Sequence, residues 1–303
     1  MRLFATAAIR PKQNTLSGRF WHSDPVLGDG FDRMKKILLA GLIATGFMTA
    51  TPALAALQCG NDSSGFARWV EEFKRVAPSN GVNPSVVEKA FSSVSYNRPT
   101  ISADRGQKSF KLSFDDFMKK RGGAAIISRG KGMKSGNASL FAQIERRFGV
   151  PAGPIIAIWG METGFGSFMG DQHTLSAVAT LAYDCRRSAY FTEQLYAALE
   201  LVGRGDLSVT ARGAAHGEIG QTQFLPLNVV RYGADGDGDG HIDMVRSRAD
   251  ALASTANFLK GHGWRAGAGY QPGQPNFVAI QGWNAATVYQ QAIAYMGAQI
   301  DGQ

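Results

Sequence analysis

A mainly α fold with a small β component is what the sequence predicts, and three features predict it. Apolar residues recur at spacings of three and four along most of the chain, caps and glycine stops punctuate them, and few windows alternate as strands do. No internal repeat or low-complexity linker interrupts the pattern, so one compact unit is expected.

Phe66, Trp69, Val70, Phe73 and Val76 share one helical face, with Ser63 or Ser64 as N-cap and Gly81 as the stop. Asn83-Pro84 reads as N-cap and first residue of a helix carrying Val86, Val87 and Phe91. Val94 to Ile101 is expected to be a short strand. Phe110, Phe114 and Phe117 mark a helix around Ser109 to Lys120, and the glycine-rich stretch from Gly130 to Gly136 reads as a mobile loop. Leu140, Phe141, Ile144 and Phe148 mark a helix that ends at Gly149, and Leu175 to Leu181 is apolar enough to be buried. Tyr190 or Phe191, Leu195, Leu199 and Val202 predict an amphipathic helix stopping at Gly203. Leu252, Thr255, Phe258 and Leu259 predict another, closed by Gly261 and Gly263. Asn276 to Ile280 is the second strand candidate, and Val288, Ala292, Tyr295 and Met296 mark the last helix. The aromatic stripes within these helices are expected to be core, because a periodic apolar face buries.

The N-terminus carries an export signature. Lys35-Lys36 form a basic n-region, Ile37 to Ala50 is an apolar run too short to span a bilayer, and Thr51-Pro52-Ala53-Leu54-Ala55 supplies an A-x-A cleavage site. Residues 34–55 are therefore expected to be a signal peptide opened by Met34, and residues 1–33 an upstream extension or mis-start. Residues 56–303 would form the mature domain of 248 residues. Leu57-Gln58-Cys59 does not resemble a lipidation site, since a large polar Gln precedes the Cys, and no second apolar span follows. Export without a membrane anchor is the expectation. The formal charge of +8 falls to +4 with the leader, which holds seven of 32 Lys/Arg and three of 24 Asp/Glu. Without a long basic tract and interleaved aromatics, this is no nucleic-acid signature. Cys59 and Cys185, the two cysteines, most simply pair in an exported chain.

Glu162 is the most informative residue. Val150 to Met161 is almost wholly apolar and delivers one carboxylate directly before Thr163-Gly164-Phe165-Gly166. Burial there would favour the neutral acid. A carboxylic acid kept protonated near neutral pH can protonate the leaving oxygen of a glycosidic bond. A helix-end Glu turned to solvent is the competing reading.

Two further blocks carry chemistry. In His216-Gly217-Glu218-Ile219-Gly220-Gln221-Thr222-Gln223-Phe224-Leu225-Pro226, Gln223 and Phe224 pair an amide with a ring, a combination suited to a sugar's hydroxyl groups and its apolar face. A turn entering a helix, with Gln223 as a structural hydrogen bonder, fits the same residues. Glu218 is a second carboxylate of catalytic type or, preferred here, an ion-pair or capping residue. Asp235-Gly236-Asp237-Gly238-Asp239-Gly240-His241 is the front half of an EF-hand-like loop: carboxylates at positions 1, 3 and 5, a glycine at 6 and the His241 carbonyl at 7. Arg246 stands at position 12 in place of the bidentate Glu, and Asp250 could close the shell from a longer loop. A structural Ca2+ or other hard cation is expected, with no cofactor required for chemistry.

With Gly160-Met161-Glu162-Thr163-Gly164-Phe165-Gly166, Gly220 to Pro226 and the DxDxDG loop in order, the chain resembles the membrane-bound lytic transglycosylase B family. Leu175 to Ala182 and Ala249 to Trp264 match as well, and the likeness runs from about Phe66 to the C-terminus. The resemblance implies a lysozyme-like fold, a periplasmic location and cleavage of the β-1,4 bond between N-acetylmuramic acid and N-acetylglucosamine in peptidoglycan glycan strands. No water is added, and the product carries a 1,6-anhydro ring. Glu162 matches the family's single acid/base. Gln223 and Phe224 match its sugar-contacting pair, and Trp283-Asn284 followed by Tyr289 resembles its C-terminal tyrosine-asparagine site. Asn284 also suits an N-cap of the last helix. Three positions depart: Phe258 and Trp283 each stand where tyrosine is common, and Ala214 where serine often occurs.

The alternatives are a hydrolytic muramidase on the same scaffold, with Glu218 or an ordered water in the second role, and a non-catalytic, calcium-stapled peptidoglycan-binding protein.

Overall fold

The helix that carries Glu162 sets the plan of the structure. The computed structural model describes residues 57–106 and 112–303; the expected signal peptide, the upstream segment, Ser109 and Phe110 lie outside them. In chain order the helices are α1 (Phe66–Val76), α2 (Pro84–Phe91), α3 (Arg98–Arg105), α4 (Phe114–Arg121), α5 (Gly123–Gly136), α6 (Ala138–Phe148) and α7 (Ala152–Thr163). There follow α8 (Thr174–Tyr183), α9 (Ser188–Arg204), α10 (Pro226–Tyr232), α11 (Arg248–Gly261), α12 (Phe277–Trp283) and α13 (Thr287–Asp301). Two short strands, β1 (Gln172–His173) and β2 (Arg212–Gly213), pair antiparallel, with Gln172 opposite Gly213.

Every residue of α7 is buried. A helix apolar on all sides can be satisfied only by neighbours on all sides, and α13, α5, α11 and α6 supply them. Close approach requires small residues. A Cβ on Gly153 would lie 2.2 Å from the Gly297 carbonyl oxygen of α13, and one on Gly160 would lie 2.6 Å from the Ile126 side chain of α5. A second layer, α8 against α9, α9 against α2 and α10, and α1 against α8, is tied to the segment before α1 by the Cys59–Cys185 disulfide, Cα–Cα 5.0 Å.

Several boundaries differ from the sequence expectations, each for a local reason. Asp62 accepts hydrogen bonds from the Ser64 N–H and hydroxyl, so α1 starts after Gly65 without a serine cap. It ends at Val76, because Pro78 opens a separate 3-10 turn before Gly81. Val94 to Ile101 is not a strand: Asn97 accepts the Thr100 N–H and Pro99 sits in the first turn, a cap signal that overrides the β-branched residues. Ser113 caps α4, which therefore starts at Phe114. Gly130 to Gly136 is helical. Gly130 is there for packing, since a Cβ would meet Ile300 at 2.7 Å and Ile156 at 3.0 Å. The stop of α9 is Gly205, at φ 84°, and Gly203 lies within the helix. Asn276 to Ile280 is likewise no strand but the entry to α12; the Asn276 side chain bonds Arg265 N–H and the Arg265 and Ala268 carbonyls, fixing that entry.

Candidate active site

Glu162 lies in the last turn of α7 and is 5 % exposed. The helix stops two residues later at Gly164, whose φ of 59° is a left-handed conformation that favours glycine. Thr163 then joins two motifs: its hydroxyl donates to the Gln221 carbonyl (2.6 Å) and accepts the Gly166 N–H (2.8 Å). Gln223 makes a second tie. Its φ is 56°, rare for a residue with a side chain, and its Nε2 donates to the Gly220 (2.8 Å) and Met169 (3.2 Å) carbonyls. A non-glycine held there by its surroundings is a feature of functional sites. The loop 166–170 packs on β2 so closely that a Cβ on Gly170 would lie 2.1 Å from the Gly213 carbonyl oxygen. On this loop Phe168 is 52 % exposed.

The Glu162 carboxyl meets two donors from the end of the chain. Trp283 Nε1–H donates to Oε1 at 2.9 Å and the Tyr289 hydroxyl donates to the same oxygen at 2.7 Å. Oε2 has no hydrogen-bond partner among the described residues. Burial pushes the Glu162 pKa up. The Trp283 and Tyr289 donors and the Arg121 charge pull it down and the Glu218 charge adds to the rise, with burial dominant. Tyr289 is pushed well above an ordinary phenol by burial and by Glu162, so it remains a neutral donor. With Oε1 accepting two protons already, the acidic proton belongs on Oε2.

Glu218 is buried too, yet its environment acts in the opposite sense. Burial raises its pKa, but the His216 hydrogen bond and charge, with backbone N–H groups, outweigh it and hold the carboxyl below the usual range. Oε2 accepts the His216 N–H at 2.9 Å, and Oε1 lies 3.2 Å from His216 Nδ1. The other face of that ring, Nε2, is 3.6 Å from Asp104, which pairs with Arg186 and Arg187. Two neighbouring carboxyls are thus driven apart, one towards the acid and one towards the anion.

The metal-type loop connects α10 to α11. Oxygens of Asp235, Asp237 and Asp250 lie within 4.8 Å of one another. Cation–oxygen distances of about 2.3–2.6 Å would span that separation, so the donor set fits a hard ion such as calcium. Asp235 accepts the Gly238 and Gly240 N–H groups, which lower its pKa; Asp250 accepts those of Gly236 and Asp243, though burial leaves its pKa raised. Asp239 is outside this trio and accepts the His241 N–H at 2.8 Å, while the His241 ring lies 3.3 Å from Asp206.

A transglycosylase SLT domain model matches residues 65–274, more than half of the chain. The chain belongs to the transglycosylase SLT domain family. Membrane-bound lytic murein transglycosylase B of Escherichia coli is 38% identical over 139 residues, which cover 43% of this chain and 38% of that protein; the chain thus spans well under half the length of this relative. SltB3 of Pseudomonas aeruginosa, solved in complex with NAG-anhNAM-pentapeptide and with NAG-NAM-pentapeptide, is similar at 27% identity and TM-score 0.73, over 78% of this chain and 80% of that one. Slt35 of Escherichia coli, solved in complex with calcium, shares the fold at 22% identity and TM-score 0.66, over 81% and 96%.

In this SLT domain the predicted sugar-contacting residues sit deeper than a surface platform would. Phe224 is 2 % exposed and packs edge-on against Phe258 and Trp283. Asn284 is buried and is not the N-cap of α13: that position is Ala286, without a side-chain cap, and Asn284 follows α12, its side chain accepting the Ala286 N–H in the turn between the two helices. Tyr289 is fully enclosed against Glu162. Sequence reasoning missed that Trp283 and Tyr289 converge on the carboxyl. An N–H donor at 283 was visible as an indole where tyrosine was expected, but no spacing rule connects it to a residue 121 positions earlier. Nor did it single out the exposed Phe168, an aromatic two residues after the Gly164-Phe165-Gly166 end of the motif and outside any helical stripe.

Proposed function

We propose that the protein is a peptidoglycan lytic transglycosylase, acting on the β-1,4 bond between N-acetylmuramic acid and N-acetylglucosamine. One observation carries this reading: the buried Glu162 carboxyl, raised towards the neutral acid, has one oxygen saturated by two donors and the other available. Glu162 Oε2–H protonates the glycosidic oxygen as the bond to C1 breaks. The substrate's own C6 hydroxyl then attacks C1, closing the 1,6-anhydro ring, and returns its proton to the Glu162 carboxylate. Trp283 and Tyr289 stabilise that carboxylate during the interval. The tethered hydroxyl needs no second base and has a large effective concentration. Glu218 suits a structural anion better than the water-activating base of a muramidase, since both its oxygens face His216. Similarity to SltB3, crystallised with anhydro and non-anhydro muropeptides, supports the same substrate class. Digestion of purified peptidoglycan followed by mass spectrometry tests the reading. Fragments lighter than the hydrolysis products by one water are expected, and fully hydrated reducing ends would overturn it.

Binding would draw on the rim as well as the buried wall. Phe224 backs Trp283, one of the carboxyl's two donors, and the exposed ring of Phe168 would cover a sugar face. Phe168→Ala is expected to raise KM about tenfold with kcat little changed; an unaltered KM removes Phe168 from the site. Export to the periplasm is part of the same proposal, supported by the export signature in the sequence of residues 34–55 and by the proposed substrate. No helix among the described residues is long and apolar enough to cross a membrane.

The loop of Asp235, Asp237 and Asp250 is proposed to hold a structural calcium ion, with Asp239 and the His241 carbonyl at its edge. The ion would brace α10 against α11 and take no part in the chemistry. Asp237→Ala should lower Tm and abolish most of the rise in Tm that added calcium gives the wild type. A wild-type Tm indifferent to calcium refutes the site.

A further inference from the structure

Arg121 is a cation whose charge lowers the Glu162 pKa in competition with burial, and it approaches the carboxyl across the ring of Tyr289. It is the last residue of α4, a position that suits a cation because the carbonyl end of a helix is negative. Its side chain does more than complement that end. The guanidinium carbon lies 5.4 Å from the centroid of the Tyr289 ring and 5.5 Å from that of Phe117, and these two rings are edge-to-face at 5.7 Å. Its Nη2 is buried and has no hydrogen-bond acceptor among the described residues. Leaving a charged donor without an acceptor costs free energy, and aromatic faces offset that cost only in part. The arrangement makes sense if a negative charge is sometimes present close by. Glu162 is where it arises, since Tyr289 passes its hydroxyl proton's hydrogen bond directly to Oε1.

We propose that Arg121, packed on the ring of Tyr289, is a positioning residue that steadies the negative charge Glu162 acquires on giving up its proton. This rests on the acid role given to Glu162 above. In the neutral acid the guanidinium contributes little. Once the proton has moved to the leaving oxygen, the cation favours the carboxylate and strengthens Tyr289 as a donor, and it is relaxed again when C6 returns a proton. Among the described residues, the other ionisable groups that act on the carboxyl are Tyr289 on α13 and Glu218 in the loop before α10, with His216 behind it. Charges elsewhere around α7 serve other positions: Arg248 lies over Trp159, Arg129 over Phe165, and Asp301 bonds the Gly153 N–H.

Arg121→Met and Arg121→Gln both remove the charge, the second keeping hydrogen-bonding capacity should the first fail to fold. Arg121→Lys keeps the charge and loses the planar stacking. The readouts are the pH profile of kcat/KM on purified peptidoglycan and the pH titration of the Glu162 carboxyl carbon by NMR. Both neutral variants are expected to lose about tenfold in kcat, with the alkaline limb and the carboxyl titration moved to higher pH. Arg121→Lys should keep limb and titration near their wild-type positions. A purely structural Arg121 would lower Tm and leave both midpoints in place, and that result overturns the proposal. The two hypotheses fail separately: hydrated products with a shifted carboxyl titration sink the transglycosylase reading and keep the Arg121 coupling, whereas anhydro products with unmoved midpoints do the reverse.

Discussion

Glu162→Gln is expected to retain the fold and to lose about four orders of magnitude in turnover. The substitution is close to isosteric. The Gln side-chain oxygen can still accept from Trp283 and Tyr289, but an amide has no proton to give the glycosidic oxygen and none to recover. In the proposed mechanism one carboxyl performs both transfers, so no second group stands by to take over either. Turnover near that of the wild type would remove Glu162 from the chemistry.

The same variant has a stability signature with a definite sign. The Glu162 pKa is raised in the folded protein above its ordinary value of about 4.3. Between those two values the folded state holds more protons than the unfolded one, so stability falls as pH rises through this window. Above the folded pKa the wild type carries the whole penalty of a buried carboxylate. Glu162→Gln is free of it, and its Tm should equal that of the wild type at acid pH and exceed it at neutral pH. A site that destabilises its own scaffold in this way is the usual cost of function. A Tm gap that does not grow with pH would mean that the acid is solvated, contrary to its burial.

Much of this was legible in the chain. The burial of Glu162 follows from α7 being apolar on every side, and Asn83-Pro84 with Gly149 announced a start and a stop by their backbone chemistry alone. Gly130 to Gly136 misled because glycine signals flexibility and close packing with the same letter; only the partners, Ile156 and Ile300, tell them apart. The two-residue strands β1 and β2 are too short to show a period. In the site, local motifs located the acid, whereas its hydrogen-bond donors arrive from α12 and α13 after the chain has closed on itself. Phe224 illustrates the same limit. Its ring was legible as a candidate by type, but its depth depends on Phe258 and Trp283, brought alongside by tertiary packing.

Glu218→Ala is expected to be the most destabilising of these changes, by about 3–5 kcal/mol at neutral pH, because it breaks a buried charge network by removing one member. Asp104, on α3, is joined to Arg186 and Arg187 ahead of α9 and, through the His216 ring, to Glu218. Without the Glu218 carboxylate, the His216 N–H and ring lose their buried partner. The turn leading to Gln223 loses what holds it. The Glu218 pKa is depressed in the folded state, so its contribution is complete above the unfolded value of about 4.3 and is lost as pH falls through the folded one. Urea titrations should therefore show the gap between wild type and Glu218→Ala narrowing only below the ordinary glutamate range. Glu218→Gln separates charge from packing. With the neighbouring anion gone, the alkaline limb of cleavage should move to lower pH, opposite to the shift expected from neutralising Arg121, since Glu218 raises the Glu162 pKa and Arg121 lowers it. Shifts of the same sign in the two variants would mean that loosened packing, and not charge, sets the acidity of Glu162.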